Sequence, residues 1–210
     1  MNPKNRSTDT ADHYFSSAPK SEERFGLVRT CLCRRNFEFL TASSVFSKRR
    51  IDLGTRLLIE SMVLPKEGCV LDIGCGYGAV GIVAAALSPK LHVVMTDVNV
   101  RAVRLAKKNI ESNRTWNAEV RYGEFYEPVK GQVFNCILSN PPVSAGMDTV
   151  KAIVKGANAV LADGGSFQMV IRSKIGLKVL PAVFEETFGN VKVLSRGSGF
   201  RVLIGQHVSA

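Results

Sequence analysis

Val70-Leu71-Asp72-Ile73-Gly74-Cys75-Gly76-Tyr77-Gly78 decides how this chain folds. An apolar run of buried-strand character ends in an acid and then in three glycines at alternate positions. No packed strand requires that ending, so the chain turns sharply there and enters a helix over 79–87. A second stretch, Ile137-Leu138-Ser139-Asn140-Pro141-Pro142-Val143, has the same layout. Two prolines cannot continue a central strand, so the chain leaves the sheet at Pro141, at the carboxyl edge where open parallel sheets bind their ligands.

Working outward, apolar runs at 69–73, 91–96, 118–122, 133–139, 166–171, 191–195 and 200–207 read as strands, and 79–87, 99–113, 150–161 and 177–188 as helices. This alternation demands a parallel α/β sheet covered by helices on both faces. Only Arg196-Gly197-Ser198-Gly199 joins the last two strands. That is too short for a crossover, so they pair as a C-terminal antiparallel hairpin. Upstream, Asp52 is placed to cap a lead-in helix carrying Leu53, Leu57, Leu58 and Met62, with Pro65 just past its end. Residues 24–41 read as a small N-terminal β-hairpin turning at Arg34-Arg35-Asn36, and residues 1–23 as a flexible polar tail. The expected division is therefore tail 1–23, hairpin and basic segment 24–50, and main domain 51–210.

The composition supports a sizeable core: 210 residues with 45% hydrophobic content. An odd number of cysteines (Cys31, Cys33, Cys69, Cys75, Cys136) with no C-x-x-C pair fits free thiols in a reducing cytoplasm and argues against zinc. Neither a leader peptide nor a membrane span is expected. The net charge of +10 favours encounters with polyanions, although excess Lys and Arg also serve solubility alone.

The glycines by themselves fit a dinucleotide as well as a nucleoside sulfonium, because Gly76-x-Gly78-x-x-Gly81 with Asp97 downstream satisfies the dinucleotide fingerprint. Three further features favour S-adenosylmethionine. Asp72 just before the glycines would repel a pyrophosphate and welcome an ammonium. Asp97, ending the second strand ahead of Val98, can accept both ribose hydroxyl protons. Glu124 and Phe125, after the third strand, offer an acceptor for an adenine amino group and a ring for its face. Each also has a structural alternative: a turn cap for Asp72, a helix N-cap region for Asp97, core packing for Phe125.

Asn140 precedes a proline, which biases it to extended geometry and presents its amide to the cleft. An amine conjugated to an aromatic or acyl group is a poor nucleophile, because its lone pair is delocalised. The Asn140 side-chain oxygen and the Pro141 carbonyl can accept its two N–H bonds and aim the lone pair at a methyl group. The alternative is a plain strand-terminating turn.

Asp-x-Gly-x-Gly-x-Gly followed by Asn-Pro-Pro on seven strands resembles the Rossmann-like class I methyltransferases that modify exocyclic or amide nitrogens. Val45-Phe46-Ser47, Asp52-x-Gly54-Thr55, Lys174-x-Gly176 and Gly199-Phe200-Arg201-Val202 are similar to segments of the methyltransferase small-domain family. That family includes ribosomal RNA guanine-N2 methyltransferases and their short single-domain relatives. The resemblance implies that Asp72, Gly74, Cys75 and Gly76 line the methionine end of the cofactor, Asp97 and Val98 the ribose, Glu124 and Phe125 the adenine. It places Asn140 and Pro141 at the reacting nitrogen, with Pro142 and Val143 beside the substrate. Thr55 either lies near the methionine moiety or steadies its helix, and Lys174 either meets RNA phosphate or is solvated. Val143 stands where many relatives carry an aromatic residue. Base stacking then comes from elsewhere, with Phe46 the candidate, or the acceptor is not an extruded base. The expected activity is N-methylation of RNA, with ribosomal RNA guanine N2 foremost and RNA or a ribosomal particle as partner, for a monomer or homodimer. The alternatives are protein-glutamine methylation and a non-catalytic RNA- or dinucleotide-binding module.

Overall fold

The computed structural model describes residues 22–45, 47, 49–142 and 146–208. A hairpin of β1 (Phe25–Leu32) and β2 (Arg35–Ala42) precedes α1 (Leu53–Ser61), β3 (Gly68–Ile73), α2 (Ala79–Leu87), β4 (Leu91–Asp97), α3 (Val100–Ser112), β5 (Ala118–Tyr122) and β6 (Phe134–Ser139). The chain closes with α4 (Met147–Gly156), β7 (Leu161–Arg172), the short α5 (Ser173–Gly176), α6 (Leu180–Phe188), β8 (Lys192–Gly197) and β9 (Phe200–Gln206). The main sheet has seven strands in the order β5-β4-β3-β6-β7-β9-β8. Its first five are parallel, and β9 runs antiparallel to both β7 and β8. The order reverses beside β3, where β4 and β6 flank it, so the carboxyl ends of β3, β4 and β6 open a crevice there.

Alternate strand residues feed two cores. Val70, Val93, Met95, Cys136 and Leu138 pack under α1, α2, α3 and the hairpin. Leu71, Ile73, Val94 and Ile137 pack on the other face, under α4 and α6. This period-two division is what buries both faces of each central strand. Among the described residues no helix is long and apolar enough to cross a membrane, and all five cysteines are unbridged.

Several boundaries differ from those expected. Strand β7 begins at Leu161 rather than 166. Gly164-Gly165 does not break it, because Gly164 N–H donates to the His207 carbonyl and His207 N–H to that of Gly165, while a register shift opposite Phe134 and Cys136 absorbs the extra residues. Helix α6 starts at Leu180 rather than 177 because Pro181, which has no N–H to donate, fits its first turn. The hairpin turns at Cys33-Arg34, both left-handed with φ of 48° and 62°, which matches the twist of a two-residue hairpin loop.

The hairpin is fastened to the main sheet by amide side chains. Asn109 of α3 exchanges bonds with Leu40, accepting from its N–H (2.7 Å) and donating to its carbonyl (2.9 Å), and also donates to the Tyr77 carbonyl (2.9 Å). One turn on, Asn113 repeats the exchange with Glu38. These amides pair the free edge of β2 as a neighbouring strand would. Of the expected tail, residues 1–21 lie outside the described residues, while Glu23 forms ion pairs with Arg101 and Arg104 of α3.

Candidate active site

Gly74 and Gly76 take left-handed φ values of 72° and 57°, and a Cβ built on either would meet nothing within 4 Å. Glycine is therefore required by the backbone turn, and the space above it is open to a ligand. The loop is tied down from β4: Gly74 and Cys75 N–H donate to the Thr96 carbonyl, and Gly76 N–H donates to Asp97 Oδ2 at 2.8 Å. Behind it lies Asp72, 1% exposed, whose Oδ2 accepts from Gly81 N–H in the first turn of α2 at 2.8 Å. Burial lifts its carboxyl from 3.8 to about 7, the Gly81 bond pulls the other way, and Asp97 adds a further push upward. A carboxylate so poor in countercharge is one that a cation entering the cleft would restore.

Asp97 is held by two backbone bonds, Oδ2 from Gly76 and Oδ1 from Asn99 at 2.8 Å. Burial raises its carboxyl, while the amides of Asn99, Gly76 and Val98 lower it. Both oxygens keep lone pairs for a vicinal diol, and the carboxylate plane is fixed before any ligand arrives. At the end of β5, Phe125 is left-handed (φ 45°), and its carbonyl accepts from Thr96 Oγ1 at 3.3 Å.

The corner around Asn140 is built from α1 and the segment after β6. Asp52 caps α1, accepting from Thr55 N–H at 2.9 Å. The same Oδ2 accepts from Asn140 Nδ2 at 3.2 Å, and Thr55 Oγ1 accepts from that Nδ2 at 2.8 Å. A carboxylate can only accept, so the amide orientation is determined: nitrogen toward α1, oxygen away from it. The Asn140 oxygen has no partner among the described residues, and Asn140 and Pro141 both line the cleft. Tyr77 completes this corner. Burial first, and then the nearby Asp52 charge, push its phenol up, so it stays protonated.

These groups surround a cleft of about 390 Å³. Thr55, Asp72, Gly74, Cys75, Gly76, Asp97, Val98, Glu124, Phe125, Asn140, Pro141 and Pro142, all chosen from the sequence, are brought together in its wall. Lys174 is not among them: it sits exposed on α5. Phe46 and Val143 lie outside the described residues. The sequence reading missed Val45, Tyr77, Thr149 and Ile153 in the wall, and it missed Asp52 as a partner of Asn140. The first four carry no signal beyond their apolar or hydroxyl character, whereas Asp52 was visible only as a helix cap. The buried Asp72, the rigid Asp97 carboxylate and the open floor over Gly74 and Gly76 fit an ammonium, a ribose and a backbone-hugging chain, which are the parts of S-adenosylmethionine.

This fold with this cleft defines an S-adenosylmethionine-dependent methyltransferase. Residues 36–204 match the Methyltransferase small domain family, to which the chain belongs. The chain is 34% identical over 200 residues to the uncharacterized protein YbxB of Bacillus subtilis, covering 94% of this chain and 100% of that one. It is 32% identical over 166 residues to Ribosomal RNA small subunit methyltransferase C of Erwinia tasmaniensis, covering 77% of this chain and 47% of the other. Among solved structures it resembles the T. thermophilus 16S rRNA N2 G1207 methyltransferase (RsmC) in complex with AdoMet and guanosine, with TM-score 0.79 and 25% identity over 90% of this chain and 52% of that one. The chain thus spans about half the length of these rRNA methyltransferases.

Proposed function

We propose that the protein methylates an exocyclic nitrogen of RNA, with N2 of a guanine in small-subunit ribosomal RNA as the target, in the cytoplasm. The observation that carries the reading is the anchored Asn140 amide. S-adenosylmethionine supplies an electrophilic methyl group on a sulfonium. Asn140 Oδ1 and the Pro141 carbonyl accept the two N–H bonds of the target amine, which turns its lone pair toward the methyl group and favours the positive charge that develops on nitrogen. That charge is then relieved by loss of a proton to water, so no strong base is needed in the wall. Asp52 lies behind the amide, where its charge polarises the Asn140 carbonyl through the shared N–H and makes it a better acceptor. The relationship to rRNA methyltransferases and the basic net charge support RNA over protein as the acceptor.

The test is transfer of radiolabel from S-adenosylmethionine to total RNA, to ribosomal subunits and to protein extract, each from cells lacking this protein. Label in RNA is expected. Label confined to protein would move the assignment to amide methylation of a glutamine, and no label in any fraction would remove the enzymatic reading of the acceptor site.

A further inference from the structure

Five cations that the catalytic site does not use lie at the carboxyl end of the sheet, where the register puts Arg196 and Arg201 on the face of Ile171 and Leu203 and Arg172 on the opposite face with Phe200. Arg172 ends β7, Lys174 and Lys178 follow it, Arg196 lies on β8 and Arg201 on β9. None of the five has a carboxylate partner among the described residues, and Arg172 rests instead over the Phe200 ring, 5.0 Å from its centroid. No acid occurs in the sequence between Asp163 and Glu185 or after Glu186, although Asp52 of α1 lies beside Phe200.

The strand register sets this group level with the corner around Asn140. Ser139 pairs with Met169, so Pro141 and Pro142 lie level with Ile171 and Arg172, and Ile171 pairs with Arg201, which pairs with Arg196. At about 4.8 Å per strand, Arg201 lies roughly 10 Å and Arg196 roughly 14 Å to one side of Pro141. Arg172 and Pro141 also line one small cleft together.

Arg196 and Arg201 are direct cross-strand partners. Like charges so placed destabilise a sheet unless an anion lies between or over them. Guarding the edge strand against pairing would account for a cation on β8, but β7 and β9 are interior strands and carry Arg172 and Arg201.

We propose that Arg196 and Arg201, with Lys174 and Lys178 beyond the end of β7, form a phosphate-binding ridge that holds the RNA backbone flanking the target nucleotide; this rests on the RNA reading above. The ridge supplies substrate grip from within the catalytic domain itself. Guanidinium forks suit phosphate oxygens, and the Arg201–Arg196 pair, two and three strands from Pro141, leads away from the nucleotide whose base enters the cleft.

The experiment compares the wild type with Arg196→Gln/Arg201→Gln and with Lys66→Gln/Lys192→Gln, which removes equal charge from the far end of the strands, where β3 and β8 begin. Binding to a 16S rRNA transcript is titrated across salt concentrations, and S-adenosylmethionine affinity is measured in parallel. Losing two phosphate contacts should flatten the log-affinity against log-salt slope by about 1.4 to 1.8 and weaken binding roughly 25- to 60-fold at 0.1 M salt, with cofactor affinity unchanged. The Lys66/Lys192 double variant should stay near wild type. Equal effects in the two doubles, or no effect in either, would overturn the ridge while leaving the RNA reading intact. A wild type that neither binds nor methylates RNA would overturn both.

Discussion

S-adenosylmethionine should bind more weakly as the pH falls from 7 to 5.5, because its ammonium then meets Asp72 in protonated form. Burial has moved that carboxyl from 3.8 to about 7. Only the ionised group offers a countercharge, so cation binding and proton release are linked. The cost scales as 1 + 10^(7 − pH), about 33 at pH 5.5 and about 2 at pH 7, so affinity should drop about 16-fold, or ~1.6 kcal/mol. Among the described residues no histidine lines the cleft, and burial drives Cys75 and Tyr77 further above this range. Asp97, also raised by burial, would meet only the neutral hydroxyls of a ribose. The assay is titration calorimetry at half-unit pH steps in two buffers of different ionisation heat, giving both Kd and protons released. Stability has the matching sign. Folded Asp72 keeps its proton up to about pH 7 while the unfolded carboxyl loses it near 3.8, so the ligand-free fold is favoured at low pH and loses up to about 4 kcal/mol as pH rises through that window. Asp72→Asn should therefore raise the ligand-free melting temperature at pH 8 more than at pH 5, weaken cofactor binding at pH 8 and flatten its pH dependence. A Kd constant within twofold from pH 5.5 to 7, or an Asn variant with the wild-type profile, would refute the pairing of ionised Asp72 with the ammonium.

Two further perturbations address the scaffold. Asp52→Asn keeps a good helix cap but removes the charge behind Asn140, so kcat should fall roughly tenfold with cofactor affinity and melting temperature near wild type, whereas Asp52→Ala should also lose about 1 kcal/mol of stability; equal kcat in wild type and the Asn variant would remove Asp52 from the positioning role. Gln168, fully buried, accepts from Val63 N–H and donates to its carbonyl, so Gln168→Leu should leave the Val63 N–H unpaired and its carbonyl with only the Cys136 thiol, and cost roughly 1–3 kcal/mol in denaturant titration. A loss below 1 kcal/mol there would mean that water satisfies Val63 instead.

Local signals made the sheet legible. Apolar runs punctuated by glycine and proline placed seven strands close to where they lie, and the short Arg196–Gly199 link forced the terminal hairpin. The gathering of Asp72, Gly74, Gly76 and Asp97 in one cleft was legible for the same reason, since each ends or follows a strand at the carboxyl edge. Contacts between distant segments were not legible. Asp52 and Asn140 are 88 residues apart, and nothing in either neighbourhood shows that a helix cap will also steer an amide. The Asn109 and Asn113 clamps have the same character: on a helix they read as polar surface, and only the hairpin laid against them turns them into strand mimics. The early start of β7 was not legible either, because its first residues, Gly164-Gly165 among them, pair with the far end of the chain. Arg196 and Arg201 read as separate charges in the sequence, and only the register of β8 on β9 makes them direct neighbours.

The most direct test of methyl transfer to guanine N2 is nucleoside analysis of 16S rRNA from cells lacking this protein, after incubation with S-adenosylmethionine and either wild type or Asn140→Ala. N2-methylguanosine should form with the wild type and fall by roughly two to three orders of magnitude in rate with Asn140→Ala, while cofactor affinity is retained. A different methylated nucleoside, or undiminished turnover in the variant, would contradict the role given to Asn140 and the acceptor given to the cleft.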